Sequence, residues 1–116
     1  MWHQLEHTAR NHGGRLSARV RIPARSTWFD GHFPGDPVLP AVAQLGVIRD
    51  LIDQALDGHP GVAAYRRVKF KRMIRPREVL DIIAEPKTPG EAYTFRITVG
   101  DEVACTGTVV VRTAAP

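Results

Sequence analysis

Phe29-Asp-Gly-His-Phe-Pro-Gly-Asp-Pro-Val-Leu-Pro40, followed at once by the apolar run Ala41 to Leu56, is the stretch around which this chain is organised. Its first part excludes a helix and a central strand. Pro34, Pro37 and Pro40 lack an N–H and fix φ, while Gly31 and Gly35 tolerate backbone angles that other residues avoid. Phe33, Asp36 and Leu39 precede prolines and are pushed toward extended geometry. The product is a stiff, kinked loop that carries one imidazole, His32. The second part reads as a helix, because Val42, Leu45, Val47, Ile48, Leu51, Ile52, Ala55 and Leu56 recur mainly at spacings of three and four. Pro40 suits a first helical position. Arg49, Asp50, Asp53 and Gln54 fall on the wetter side, and Asp57-Gly-His-Pro-Gly61 stops the helix. Gly46 inside it costs about 1 kcal/mol relative to alanine. That glycine marks the close approach of a neighbouring backbone or ligand, or simple tolerance. A histidine presented beside a helix N-terminus suits catalysis; it equally suits a loop that pins the start of a buried helix.

Working outward, residues 1 to 14 are mixed and predict a loose start with one helical turn over Trp2 and Leu5. His3, His7 and His12 lie there, but no acidic or cysteine ligands complete a metal site, so they read as solvated rather than metal-binding. Leu16, Ala18, Val20 and Ile22 alternate with Ser17, Arg19 and Arg21 as a half-buried strand that Pro23 ends. Beyond the helix, Ala64 to Ile74 reads as a strand with Val68, Phe70 and Arg72 on one side and Arg67, Lys69 and Lys71 on the other. Arg75 to Glu78 is a turn, Val79 to Glu85 a strand, and Pro86 to Gly90 a turn. Ala92 to Val99 alternates around Tyr93, Phe95, Ile97 and Val99, Gly100-Asp101 is a hairpin signal, and Val103 to Thr113 closes the chain as a β-branched strand. One early strand, one long helix and four later strands predict an α+β domain with the helix packed across one antiparallel sheet.

The chain has 116 residues, 43% of them hydrophobic and 24% charged. That suits one soluble domain over residues 1–116 and leaves too little chain for two cores. No apolar run approaches a membrane span, and Met1-Trp-His-Gln-Leu-Glu does not read as a signal segment, so a cytoplasmic location is expected. The single Cys105 rules out an internal disulfide and a cysteine metal cluster. A formal net charge of +4 suits an acidic partner. Nucleic acid fits poorly, since few aromatics interleave with the basic residues and no nucleic-acid module is recognisable.

Gly31-His-Phe-Pro-Gly-Asp-Pro-Val-Leu-Pro40 and the helix after it resemble the active-site motif of the hotdog-fold (3R)-hydroxyacyl-[acyl-carrier-protein] dehydratases. Val68-Lys-Phe-Lys-Arg-Met-Ile-Arg-Pro-Arg-Glu-Val-Leu80 is similar to that family's basic strand and turn. The order of elements agrees over about residues 14–112. The resemblance implies a curved antiparallel sheet wrapped around one long central helix. It implies a dimer, homomeric or heteromeric, with each site between subunits. It also implies a substrate that arrives on the phosphopantetheine arm of acyl carrier protein, for fatty acid or polyketide biosynthesis. His32 corresponds to the family's catalytic histidine. Phe33, Gly35, Pro40, Ala41, Val42, Gln44 and Gly46 correspond to positions around its substrate. The family's helix acid falls at Gly46, and Ala41 replaces the usual glycine; Ala41-Val-Ala-Gln-Leu45 is closer to the aryl-polyene dehydratase-like subfamily.

Dehydration of a 3-hydroxyacyl thioester needs a base for the α-proton, donors for the enolate oxygen and an acid for the leaving hydroxyl. Histidine suits the first task. Amides at a helix start, near Ala41 and Val42, or that of Gly35, suit the second. The third is vacant at Gly46 and open to four candidates: His32 itself, Asp50 one turn later, Gln44 holding a water, or an acid from a partner subunit. Asp50 also reads as an ordinary helix-face carboxylate, and Gln44 as a satisfied amide. Arg67, Lys69, Lys71 and Arg75, within a group that also includes Arg66, Arg72 and Arg77, suit carrier docking, or form a solvated strand face. The elimination calls for no metal or organic cofactor. The alternative to a dehydratase is a non-catalytic hotdog subunit that binds acyl chains or completes a heterodimer; an acyl thioesterase is a more distant reading.

Overall fold

The structure, a computed structural model, describes residues 4–23 and 38–112. The loop positions His32, Phe33 and Gly35, with Trp2, His3, Trp28, Phe29 and Thr113, lie outside the described residues. Six strands and one helix follow in order: β1 (Gln4–Arg10), β2 (Leu16–Arg21), α1 (Ala41–Ala55), β3 (Val62–Phe70), β4 (Val79–Thr88), β5 (Ala92–Val99) and β6 (Glu102–Val111). The strands form one sheet in the order β1-β2-β4-β5-β6-β3, with every neighbouring pair antiparallel. The helix connects β2 to β3 at the far edge of the sheet, and therefore crosses the sheet; it packs against β1, β2 and β3.

Period-2 alternation sends one side chain in two toward the helix. The register aligns those inward residues into rows: Ala18, Ile82, Ile97 and Cys105 form one, and Leu16, Ala84, Phe95 and Gly107 the next. Ala43, Val47, Ile48, Leu51 and Ile52 of the helix are buried above them. Burial of a side chain such as Leu51 or Ile48 contributes about 2 kcal/mol each. Gly107 sits where nothing larger fits, because a Cβ there would lie 2.7 Å from the Phe95 ring and 3.2 Å from Val68.

Several sequence expectations are corrected. Leu5, expected in a helical turn, lies instead in the strand Gln4–Arg10, while Trp2 falls outside the described residues. β1 pairs with β2 through Leu5↔Val20 and Glu6↔Arg19, and a bulge between Glu6 and Ala9, with His7 at φ 53°, hides the alternation. The Asn11 side chain closes that hairpin by accepting from the amides of Gly13 and Arg15 at 3.0 and 2.9 Å. β3 starts at Val62 and ends at Phe70, four residues short of Ile74. It too carries a bulge, between Arg66 and Lys69, with Arg67 at φ 55°. Regular sides therefore do not persist, and Phe70 is 47% exposed. β4 runs through Pro86 to Thr88 instead of ending at Glu85. β2 has already ended opposite Ala84, and a strand edge without a neighbour tolerates a missing proline N–H. Pro40 is the N-cap rather than the first helical residue. Val42, assigned by spacing to the apolar face, is 63% exposed.

Candidate functional site

Among the described residues, no side chain caps the start of α1. Pro40 offers no side-chain cap and the first turn contains no acid. The amides of Ala43 and Gln44 both donate to the Pro40 carbonyl, at 3.1 and 3.2 Å. Those of Ala41 and Val42 come too early to have intrahelical acceptors and stand at the positive end of the helix dipole. The chain approaching the helix is fixed by a 2.7 Å bond from the Leu39 amide to the Ile74 carbonyl. The segment after β3 is held in turn by the Lys71 and Arg72 amides, which donate to Ala104 at 2.8 and 3.3 Å. Between these two fixed segments lies a cavity of about 510 Å³. Leu39, Pro40, Ala41 and Gln44 line it from the helix side, and Phe70, Lys71, Arg72 and Met73 from the other. Phe70 and Met73 remain about half exposed.

Gln44 is the unusual group in this wall. It is 3% exposed, the buried polar residue of the core among the described residues. Its Nε2 donates to the Leu39 carbonyl at 3.2 Å, and its Oε1 is buried with no hydrogen-bond donor among the described residues. Buried acceptors are nearly always paired. The expected bond of the Gln44 amide to backbone is present at Nε2, and the partner of Oε1 is not among the described residues.

The middle of the helix makes a second group. Gly46 is half-buried, and Asp50, one turn on, keeps 20% of its side chain exposed, with Arg49 Nε 3.8 Å from its Oδ1. Sequence reasoning missed Tyr65: its hydroxyl donates to the Leu45 carbonyl at 2.7 Å, beside Gly46. Burial pushes the Tyr65 phenol above its ordinary value; Arg49 opposes that and Asp50 adds to it. No sequence signal marked it, because the contact joins β3 to a helix residue 20 positions earlier. Neither Gly46 nor Asp50 is among the described residues lining the helix-start cavity.

The basic residues separate by environment. Arg72 is not a free cation. It bonds Glu78 in a fork at 2.9 and 2.7 Å, reaches Glu102 at 3.3 Å and donates to the Met73 carbonyl at 3.0 Å. The Arg75 amide also donates to Glu78, at 2.8 Å. The Arg72 hydrogen bond holds the Glu78 carboxyl below its ordinary value, against the effect of burial. Arg67, Lys69, Lys71 and Arg75 are exposed, and of these Lys71 lines the cavity. Among the described residues, no helix is long and apolar enough to cross a membrane.

A model of the ApeI-like family, described as ApeI dehydratase, matches residues 7–108. A 3-hydroxyacyl-[acyl-carrier-protein] dehydratase FabZ of Levilactobacillus brevis is 30% identical over 115 aligned residues, covering 90% of this chain and 78% of that protein. A FabZ of Caldicellulosiruptor bescii is 30% identical over 106 residues, covering 82% and 75%. The solved dehydratase heterocomplex ApeI:P from Xenorhabdus doucetiae matches with a TM-score of 0.83 at 23% identity, over 97% of this chain and 100% of that one. The architecture is the α+β hotdog fold.

Proposed function

Because the chain belongs to the ApeI-like dehydratase family, we propose that it removes water from 3-hydroxyacyl thioesters carried by acyl carrier protein, giving trans-2-enoyl thioesters. The observation that carries this reading is the uncapped helix start opening onto a largely apolar cavity. A thioester carbonyl placed there meets the Ala41 and Val42 amides, and the developing enolate oxygen is stabilised by them. His32 takes the α-proton; the C3–O bond breaks as the C2–C3 double bond forms, and the hydroxyl leaves as water once it is protonated. With Gly46 at the family's acid position, that proton returns from His32 or arrives through a neighbour. Gln44 fits this second route: its Oε1 can hold a water against the leaving hydroxyl, while Nε2 is anchored on Leu39. Asp50 is the alternative donor within this chain. The apolar wall from Leu39, Phe70 and Met73 suits the acyl chain. Exposed Arg67, Lys69, Lys71 and Arg75 suit the acidic carrier.

A second reading has its own support. Position 46 lacks an acid, and β3 is an edge strand flanked by exposed Phe70 and Met73. A subunit that completes a heteromeric dehydratase, its partner bringing the carboxylate, accounts for both. One assay separates the readings: purified chain alone against a medium-chain (3R)-hydroxyacyl carrier-protein thioester, beside His32→Ala. Dehydration lost in the variant supports the stand-alone enzyme. Inactivity that is relieved only by adding a second hotdog subunit supports the heteromer, and inactivity under both conditions refutes catalysis.

A further inference from the structure

The outer face of the sheet, opposite the helix, carries a second recess of about 260 Å³. Arg66 and Arg67 of β3, Lys87 and Thr88 of β4, and Thr108 and Val110 of β6 surround it. Thr108 and Val110 alternate with buried Gly107, Val109 and Val111, which places the recess on the side away from the core. It shares no lining residue with the cavity at the helix start.

Two features make this more than a charged strand. Consecutive residues of a regular strand point to opposite faces, so Arg66 and Arg67 would not normally share a recess. The β3 bulge removes that restriction: the register shifts between Arg66 and Lys69, and Arg67 adopts φ 55°. A left-handed arginine is unfavourable in itself, and bulges commonly serve to re-aim a side chain. Here the bulge lets both Arg66 and Arg67 line the recess, whose far wall, across β6 and β5, carries Lys87. The second feature is the lack of neutralisation. Arg15 pairs with Glu85, Arg19 with Asp81, and Arg72 with Glu78 and Glu102. No carboxylate lines this recess, and among the described residues Arg66, Arg67 and Lys87 form no ion pair.

We propose that the recess is an oxyanion site that takes a phosphoryl group. Two guanidinium forks match tetrahedral oxygens, the lysine adds a point charge, and the hydroxyls of Thr88 and Thr108 supply neutral donors. The volume accepts a phosphate with a few attached atoms, so the group can be free phosphate or the end of a phosphate ester. Arg67 is shared with the carrier surface of the dehydratase reading, but Arg66, Lys87, Thr88 and Thr108 are not, and none of these groups touches the helix-start cavity, so Arg66 and Lys87 test the site separately.

Isothermal titration calorimetry of the full chain at low salt tests it, with inorganic phosphate, coenzyme A and phosphate-free pantetheine as probes. Saturable binding of inorganic phosphate is expected, weakened about fivefold or more in Arg66→Ala and in Lys87→Ala and unchanged in Arg19→Ala, whose arginine is already paired. Coenzyme A that binds more tightly than phosphate, with the same dependence on Arg66 and Lys87, assigns the site to a phosphate ester; equal affinity assigns it to free phosphate. Binding that does not saturate, or that Arg66→Ala and Lys87→Ala leave unchanged, overturns the proposal. Both side chains are exposed, and if Arg66→Ala fails to fold, Lys87→Ala decides the question.

Discussion

Gln44 shows how one residue can carry a functional argument on stability grounds. A buried carboxamide with an unpaired oxygen costs about 1–3 kcal/mol, while the one bond it makes to Leu39 contributes about 1 kcal/mol. Leucine at position 44 would lose the bond and remove the penalty. Gln44→Leu is therefore expected to change stability by no more than about 1 kcal/mol in a urea titration, and to lower dehydration at least about tenfold if the amide holds the working water. Undiminished turnover would remove Gln44 from the mechanism. Glu78 makes the opposite kind of contribution. Its folded-state pKa is lowered by Arg72, so the stabilisation is present above the ordinary carboxylate range and is lost as pH falls through the lowered folded value. Glu78→Gln is expected to cost about 2 kcal/mol at pH 7, with the gap to wild type closing in strong acid. Denaturant midpoints at the two pH values check this, and a gap independent of pH would contradict it. Cys105 is buried and pushed up to about 11, so it stays a thiol at neutral pH. Maleimide should label it only after unfolding; rapid native labelling would show that β6 opens.

At the scale of elements, the strands agree with simple alternation wherever the backbone stays regular and depart from it at the two bulges. β5 reads as expected because every second residue, Tyr93, Phe95 and Ile97, is buried. β1 and β3 were misread in type or extent because His7 and Arg67 adopt positive φ and reset the faces. Arginine has no preference for the left-handed region, and the enrichment of histidine there is too weak to mark His7 among five histidines. Gly107 has the opposite legibility: it looks like a weak point in a β-branched strand, yet the Phe95 ring fills the space above it. Gly107→Ala is expected to destabilise by about 1–3 kcal/mol through overpacking. Thermal unfolding measures the effect, and pairing it with Phe95→Leu should recover part of the loss. Failure to recover would mean that backbone strain, and not the ring, is responsible.

For the whole molecule, the sheet ends on β3, with Phe70 and Met73 half exposed beside it. An edge that no described strand covers, flanked by apolar side chains, is a pairing surface. The chain is expected to associate through it, with itself or with a second hotdog subunit. Phe70→Asp should shift the mass measured by light scattering toward the monomer; an unchanged assembly would place the interface elsewhere. The carrier docking proposed for Arg67, Lys69, Lys71 and Arg75 rests, in sequence, on a run of charge. It took tertiary structure to withdraw Arg72 from that run into a fork with Glu78, because the carboxylates that neutralise it come from a turn and from another strand. The sequence by itself determined the class of fold and the helix that follows the proline-rich loop, since periodicity and proline chemistry are local. Tertiary structure alone decided the pairing of β1, the half-satisfied Gln44, the Tyr65 hydroxyl on the Leu45 carbonyl and the recess between Arg66 and Lys87. Each of these depends on which distant segments meet and on whether a buried polar atom finds a partner there, and spacing along the chain contains no record of either.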